Sequence, residues 1–142
     1  MKTVAQLLAL KQGGIVSIAP DLSVLDAAKL LAQKNVGAVL VMNGARLVGM
    51  FSERDYVRMA GSKEKSPAET RVSEVMTREV VFVTPAHTNE DCMALMTDKR
   101  VRHLPVIADD KVVGLLSIGD LVKDIISEQQ FIISQLESYI HR

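Results

Sequence analysis

Two short stretches hold the residues best suited to chemistry. Ser52 and Asp55 fall in "FSERD", and Ser117 and Asp120 fall at the same spacing in "LSIGD". A carboxylate can accept both hydroxyls of a vicinal diol, such as a ribose. A helix start with free N–H groups and a hydroxyl suits a phosphate. The same spacing also makes a helix cap, in which the serine hydroxyl takes a free N–H and the aspartate favours the positive helix end. Ser23 with Asp26, and Thr88 with Asp91, repeat it, so capping alone accounts for the pattern. The two roles are compatible, because a capped helix start can still face a ligand. Arg54 is suited to holding a phosphate through two parallel hydrogen bonds, although a lone arginine there is commonly just solvated. Gly119 holds the matching place in the second stretch, so the two sites are expected to differ.

Other chemistries find little support. There is no nucleophile–base pair, metal cluster or Walker loop. Cys92 is the single cysteine, so no internal disulfide forms, and it lies on an apolar stripe as a core thiol. His87 and His141 have no clustered ligands nearby. Lysine plus arginine and aspartate plus glutamate number 17 each. Without a basic patch interleaved with aromatics, nucleic acid is a poor partner. No stretch approaches the length that crosses a membrane. The N-terminal "MKTVAQLLALKQGG" has its apolar run broken by Gln6 and is followed by no cleavage site. A reducing, cytoplasmic setting is expected. Hydrophobic residues make up 48% of the 142, aromatics 4%, so the core is aliphatic and disorder is not expected.

The elements that must position these residues come from a duplication. Shifted by 65 positions, the chain aligns with itself without a gap from Val16/Val81 to Val57/Val122, with about a dozen of 42 pairs identical. Pro20 meets Pro85, Asp26 meets Asp91, Gly49 meets Gly114 and Asp55 meets Asp120. Each copy reads as a short strand stopped by proline, a helix capped at Ser23 or Thr88, two apolar runs joined by a turn, and a second helix from Ser52 or Ser117. Asn43-Gly44 is a strong hairpin signal. The pattern predicts an α/β (α+β) fold of two β-α-β-β-α repeats with small mixed sheets and a right-handed first crossover. Such a unit buries its core badly alone, so two are expected to pack together with pseudo-two-fold symmetry. The expected divisions are residues 1–60 as the first repeat with its lead-in, 61–70 as linker, 71–126 as the second repeat and 127–142 as a helical extension. The lead-ins "KTVAQLL" and "TRVSEVM" align at an offset of 68.

A duplicated unit with "VGMFSERD" and "VGLLSIGD" after its hairpin, and "HLPVI" within it, resembles a tandem pair of CBS (cystathionine β-synthase type) domains, the Bateman module. The resemblance covers Val4 to about Ile126. It implies a soluble regulatory module for signal transduction, binding AMP, ADP, ATP or NAD in clefts between the repeats. Most such modules are fused to enzymes, channels or transporters; this one is expected to stand alone. The resemblance assigns ribose to Asp55 and Asp120, and places Arg102 and His103 near the ligand phosphate. The first-repeat counterparts of those two are Gly37 and Ala38. Pro105 lacks a strand donor and argues for an edge or ligand-facing position beside Leu104. Residues ahead of each first helix, including Ser17, Ile18, Val83 and Thr84, can meet an adenine edge through backbone groups, Thr84 also through its hydroxyl; a plain strand end is the alternative.

After Gly119 the last helix outlasts its first-repeat counterpart. Ile125, Phe131, Ile132, Leu136, Tyr139 and Ile140 recur along it at near-helical spacing. Members of the family commonly pair, so a homodimer is expected; docking of an unidentified regulated protein is the alternative use of the stripe. Three function classes follow: a non-catalytic adenine-nucleotide sensor, which leads; a ligand-free interaction module; and a nucleotide hydrolase using His103 as base. No catalytic cofactor and no metal is expected.

Overall fold

The computed structural model describes residues 1–62 and 65–141. Lys63 and Glu64, inside the expected linker, and Arg142, at the end of the expected extension, lie outside the described residues. The elements run α1 (Val4–Leu10), β1 (Ser17–Ile18), α2 (Val24–Lys34), β2 (Ala38–Asn43), β3 (Arg46–Ser52), α3 (Glu53–Ser62), α4 (Val72–Val75), α5 (Asn89–Lys99), β4 (His103–Ala108), β5 (Lys111–Ser117) and α6 (Ile118–Ile140). The chain divides into two compact units. One is Gly14–Val80; the other joins Met1–Gly13 to Val81–Arg142.

The β-α-β-β-α order recurs in both units. In the 14–80 unit, β1 pairs parallel with β2, and β2 pairs antiparallel with β3. In the other, β4 and β5 form the hairpin, and Val83 alone bridges parallel to Val106 in the place of β1. The reduction has a local cause. Leu40 donates its N–H to Val16 at 3.2 Å. Its repeat counterpart is Pro105, which has no N–H to give, so the matching bond to Val81 cannot form. The helix caps follow the sequence signals: Ser23, Thr88 and Ser117 each accept the N–H of the aspartate three residues on.

The lead-in helices are exchanged. Helix α1 precedes the first repeat but docks on the second: Val4 donates to His87 O, Ala5 to Pro85 O, and Asn89 to Lys2 O. Helix α4 precedes the second repeat but docks on the first through the matching three bonds, Val72 to Leu22 O, Ser73 to Pro20 O and Val24 to Thr70 O. Val4 and Leu7 lie in one core with Val83, Cys92, Leu104, Val106, Leu116 and Leu121. Val72 and Met76 lie in the other with Val24, Leu31, Val39, Val41 and Phe51. Two glycines admit these helices: a Cβ on Gly49 would fall 2.7 Å from Met76 Sδ, and one on Gly114 2.5 Å from Leu8 Cδ2. Lys2 then pairs with the buried Asp124 at 2.7 Å, which also accepts from Asn89, fastening α1 to α6 and α5.

Candidate functional site

Strand β3 runs directly into α3, and β5 into α6, so each serine sits where a strand becomes a helix. Ser117 donates its N–H to Asp120 Oδ2 at 2.8 Å and its hydroxyl to the same oxygen at 3.0 Å, while Asp120 N–H returns to Ser117 Oγ at 3.3 Å. Ser52 and Asp55 repeat this at 2.9, 3.1 and 3.4 Å. Both aspartates are therefore members of a cap, which fixes their rotamers. The other oxygen, Oδ1, then separates them. On Asp55 it accepts the Thr77 hydroxyl at 3.1 Å, and the side chain is buried. On Asp120 it has no partner among the described residues, and the side chain is 23% exposed.

A third group reaches Asp120. Lys11, the residue closing α1, donates to its Oδ2 at 2.9 Å and to the Leu115 carbonyl at 2.5 Å. Burial pushes the Asp120 carboxyl up, but the Ser117 N–H, the Lys11 ammonium and the Ser117 hydroxyl outweigh it and hold the group below the ordinary aspartate value. The carboxylate is thus ionised at neutral pH and accepts hydrogen bonds only.

The remaining sequence-derived positions fall into two groups. Arg102, His103, Ser117, Gly119 and Asp120 gather at one end of the β4–β5 hairpin: Ile118 N–H donates to Arg102 O at 2.9 Å, and His103 stands opposite Ser117. Arg102 and Gly119 are exposed there. Leu104 and Pro105 are buried. Val83 is buried too; its N–H donates to Pro105 O and its carbonyl accepts from Ile107, so its backbone groups are taken by the sheet. Thr84 folds into a local turn, its N–H 2.9 Å and its hydroxyl 3.0 Å from His87 Nδ1. Among the described residues, Thr84 bonds to His87 and not to the Asp120 corner. In the 14–80 unit, Ser17 is exposed and Ile18 buried on β1, while Ser52, exposed Arg54 and Asp55 share the start of α3.

Beside Asp55 lies a cavity of about 400 Å³ lined by Asp55, Arg58, Met59, Val75, Met76 and Thr77, a size that suits a small molecule. Lys11, Arg58, Met76 and Thr77 were not legible as site residues. The only sequence signal for Lys11 and Thr77 is the change of offset from 65 to 68 ahead of each repeat. Cys92 lies in the core, where burial pushes its thiol up to about 11. Among the described residues, no group of three His, Cys, Asp or Glu can hold a metal, and no helix is long and apolar enough to cross a membrane.

The family model for the CBS domain matches residues 12–61 and again 72–127. The chain is a tandem CBS-domain protein. It is 39% identical over 125 residues to the mitochondrial CBS domain-containing protein CBSX3 of Arabidopsis thaliana, covering 84% of this chain and 61% of that relative's length. It is 46% identical to a CBS-domain protein of Burkholderia ambifaria, with a TM-score of 0.87 over 90% of this chain and 96% of that one. More distant CBS structures share the fold. One is a Pyrobaculum aerophilum protein complexed with AMP, at 22% identity and a TM-score of 0.74 over 83% of this chain and 88% of that one. Another is a domain pair in complex with 5′-methylthioadenosine and S-adenosyl-L-methionine, at 19% identity and 0.79 over 90% and 98%. The match of both repeats confirms the CBS assignment made from the paired motifs.

Proposed function

We propose that this CBS pair is a non-catalytic regulatory module that binds an adenine nucleotide, AMP, ADP, ATP or NAD, at the Asp120 corner, with the Asp55 cavity as a second site. The supporting observation is the Asp120 carboxylate. Capping holds it rigid and ionised, yet among the described residues Oδ1 has no partner and the side chain is partly open, as an acceptor for ribose hydroxyls must be. Gly119, with no side chain to cover the helix start, and Arg102 and His103 beside it supply donors for phosphate. The adenosyl ligands of the distant CBS structures support the same ligand class. At the Asp55 site the side chain is buried and Oδ1 already accepts the Thr77 hydroxyl, so this site is expected to fill after the other. Binding regulates by preferring one of two conformations.

Helix α6 suits a homodimer. Ile126, Ile132, Ile133, Leu136, Tyr139 and Ile140 are all exposed along it, and an apolar stripe of this kind is buried by a matching helix.

Thermal melts against AMP, ADP, ATP and NAD test the ligand. A nucleotide at about 100 times its Kd stabilises the native state by about 2.7 kcal/mol. Asp120→Asn is expected to remove most of that gain, and Asp55→Asn less of it. No stabilisation by any of the four, or full stabilisation in both variants, refutes the assignment.

A further inference from the structure

The two aspartates are held alike by their serines and unlike by their third partner. At Asp55 a single neutral residue, Thr77, completes the corner: its N–H donates to Met50 O at 2.9 Å and its hydroxyl to Asp55 Oδ1 at 3.1 Å. Met50 and Asp55 correspond in the repeat to Leu115 and Asp120. There the Lys11 ammonium serves both groups, donating to Leu115 O and to Asp120 Oδ2. A full positive charge thus stands in one unit where the other has an amide and a hydroxyl. An ammonium has three N–H donors, and these bonds use two. The Lys11 side chain is 32% exposed, and among the described residues its ammonium bonds only to Leu115 O and Asp120 Oδ2. Ribose hydroxyls bound to Asp120 Oδ1 would leave the Lys11–Oδ2 pair intact.

We infer that Lys11 is the specificity-determining residue of the Asp120 site, selecting a phosphorylated adenosine over the uncharged nucleoside by giving its third N–H to the phosphate. The inference rests on the nucleotide-binding reading above. A phosphate gains a charge-assisted hydrogen bond from this lysine that the nucleoside does not. Held by the Leu115 carbonyl, the ammonium is already in place before ligand arrives.

The test is an NMR titration of the ¹⁵N-labelled full chain, followed at the Gly119 amide, which adjoins Asp120 at the start of α6. AMP and adenosine are titrated into wild type, Lys11→Met and Lys11→Arg. Wild type is expected to prefer AMP, with Lys11 contributing about tenfold of that preference, the worth of one charged hydrogen bond. In Lys11→Met that share of the preference is lost through weaker AMP binding, with adenosine affinity kept within about twofold; Lys11→Arg keeps it. In wild type, raising the ionic strength weakens AMP and spares adenosine, a measurement that stands even where a variant fails to fold. An unchanged AMP-to-adenosine ratio in Lys11→Met, or a ratio indifferent to salt, overturns the role of Lys11. If neither ligand moves the wild-type Gly119 resonance, AMP binding at the Asp120 corner falls, and this inference with it; the wider nucleotide reading falls only if the thermal melts with ADP, ATP and NAD are silent too.

Discussion

The two hairpin glycines are repeat counterparts, yet an added methyl should trouble them unequally. A Cβ on Gly49 falls 2.7 Å from Met76 Sδ and 2.8 Å from the Thr77 carbonyl oxygen. The thioether can swing away; the carbonyl cannot. It accepts the Met50 N–H at 2.9 Å, and the Thr77 N–H returns to Met50 O at 2.9 Å. Relief means prising this pair apart, at about 1 kcal/mol for each net hydrogen bond, within the ~1–3 kcal/mol usual for overpacking. Gly49→Ala is therefore expected to cost about 2–3 kcal/mol. On Gly114 the three nearest atoms all belong to the Leu8 side chain, at 2.5, 2.9 and 3.3 Å. Leu8 is half-buried and can turn aside for about 0.5–1.5 kcal/mol. Urea unfolding followed by circular dichroism, compared at equal m-values, measures both. Leu8→Ala should also absorb the Gly114→Ala loss when the two are combined. A Gly114→Ala loss equal to or larger than that of Gly49→Ala would refute this reasoning, because the flexible neighbour would then resist as firmly as the backbone.

Two further outcomes are expected. The Asp124 carboxyl is pushed up by burial, but the Lys2 and Asn89 hydrogen bonds outweigh this and leave it below the ordinary aspartate value of 3.8. Asp120 is lowered as well. A depressed folded value means these groups stabilise fully above the unfolded value, and that stability is lost as pH falls through the folded ones. Urea midpoints should hold down to about pH 5 and fall below about pH 4, with a shallower fall in Asp124→Asn. Ending the chain after Glu128 removes a stretch of α6 whose residues 129–140 are all exposed. The melting temperature at low protein concentration should hold, while sedimentation should report loss of the dimer.

Much of this architecture was legible because a fixed offset makes two copies corroborate each other. Val16/Val81, the proline stops, the Ser23 and Thr88 caps and the Asn43-Gly44 turn are local signals, and local hydrogen bonds satisfy them. The exchange of α1 and α4 was not legible. Val4 and Val72 present the same apolar pattern, and each docks by the same three bonds; nothing in a repeated pattern says which copy receives which helix. The asymmetry of the candidate site followed from that exchange. Once α1 docks on the second repeat, Lys11 arrives at Asp120, although the two lie far apart in the chain. Pro105 is the opposite case: its missing donor was visible in the sequence, and it reduced a strand to a single bridge.

The traded helices bear on how such a chain can arise and be divided. If the exchange seen here is kept, a solitary copy would lack the surface on which its opening helix docks and leave its hairpin glycine uncovered. Two solitary copies would complete each other by swapping those ends, so an ancestor encoded once could already work as an intertwined pair, and tandem fusion would only have tethered what was previously mutual. Cutting the modern chain between its repeats should accordingly yield two fragments that recover their structure together rather than singly.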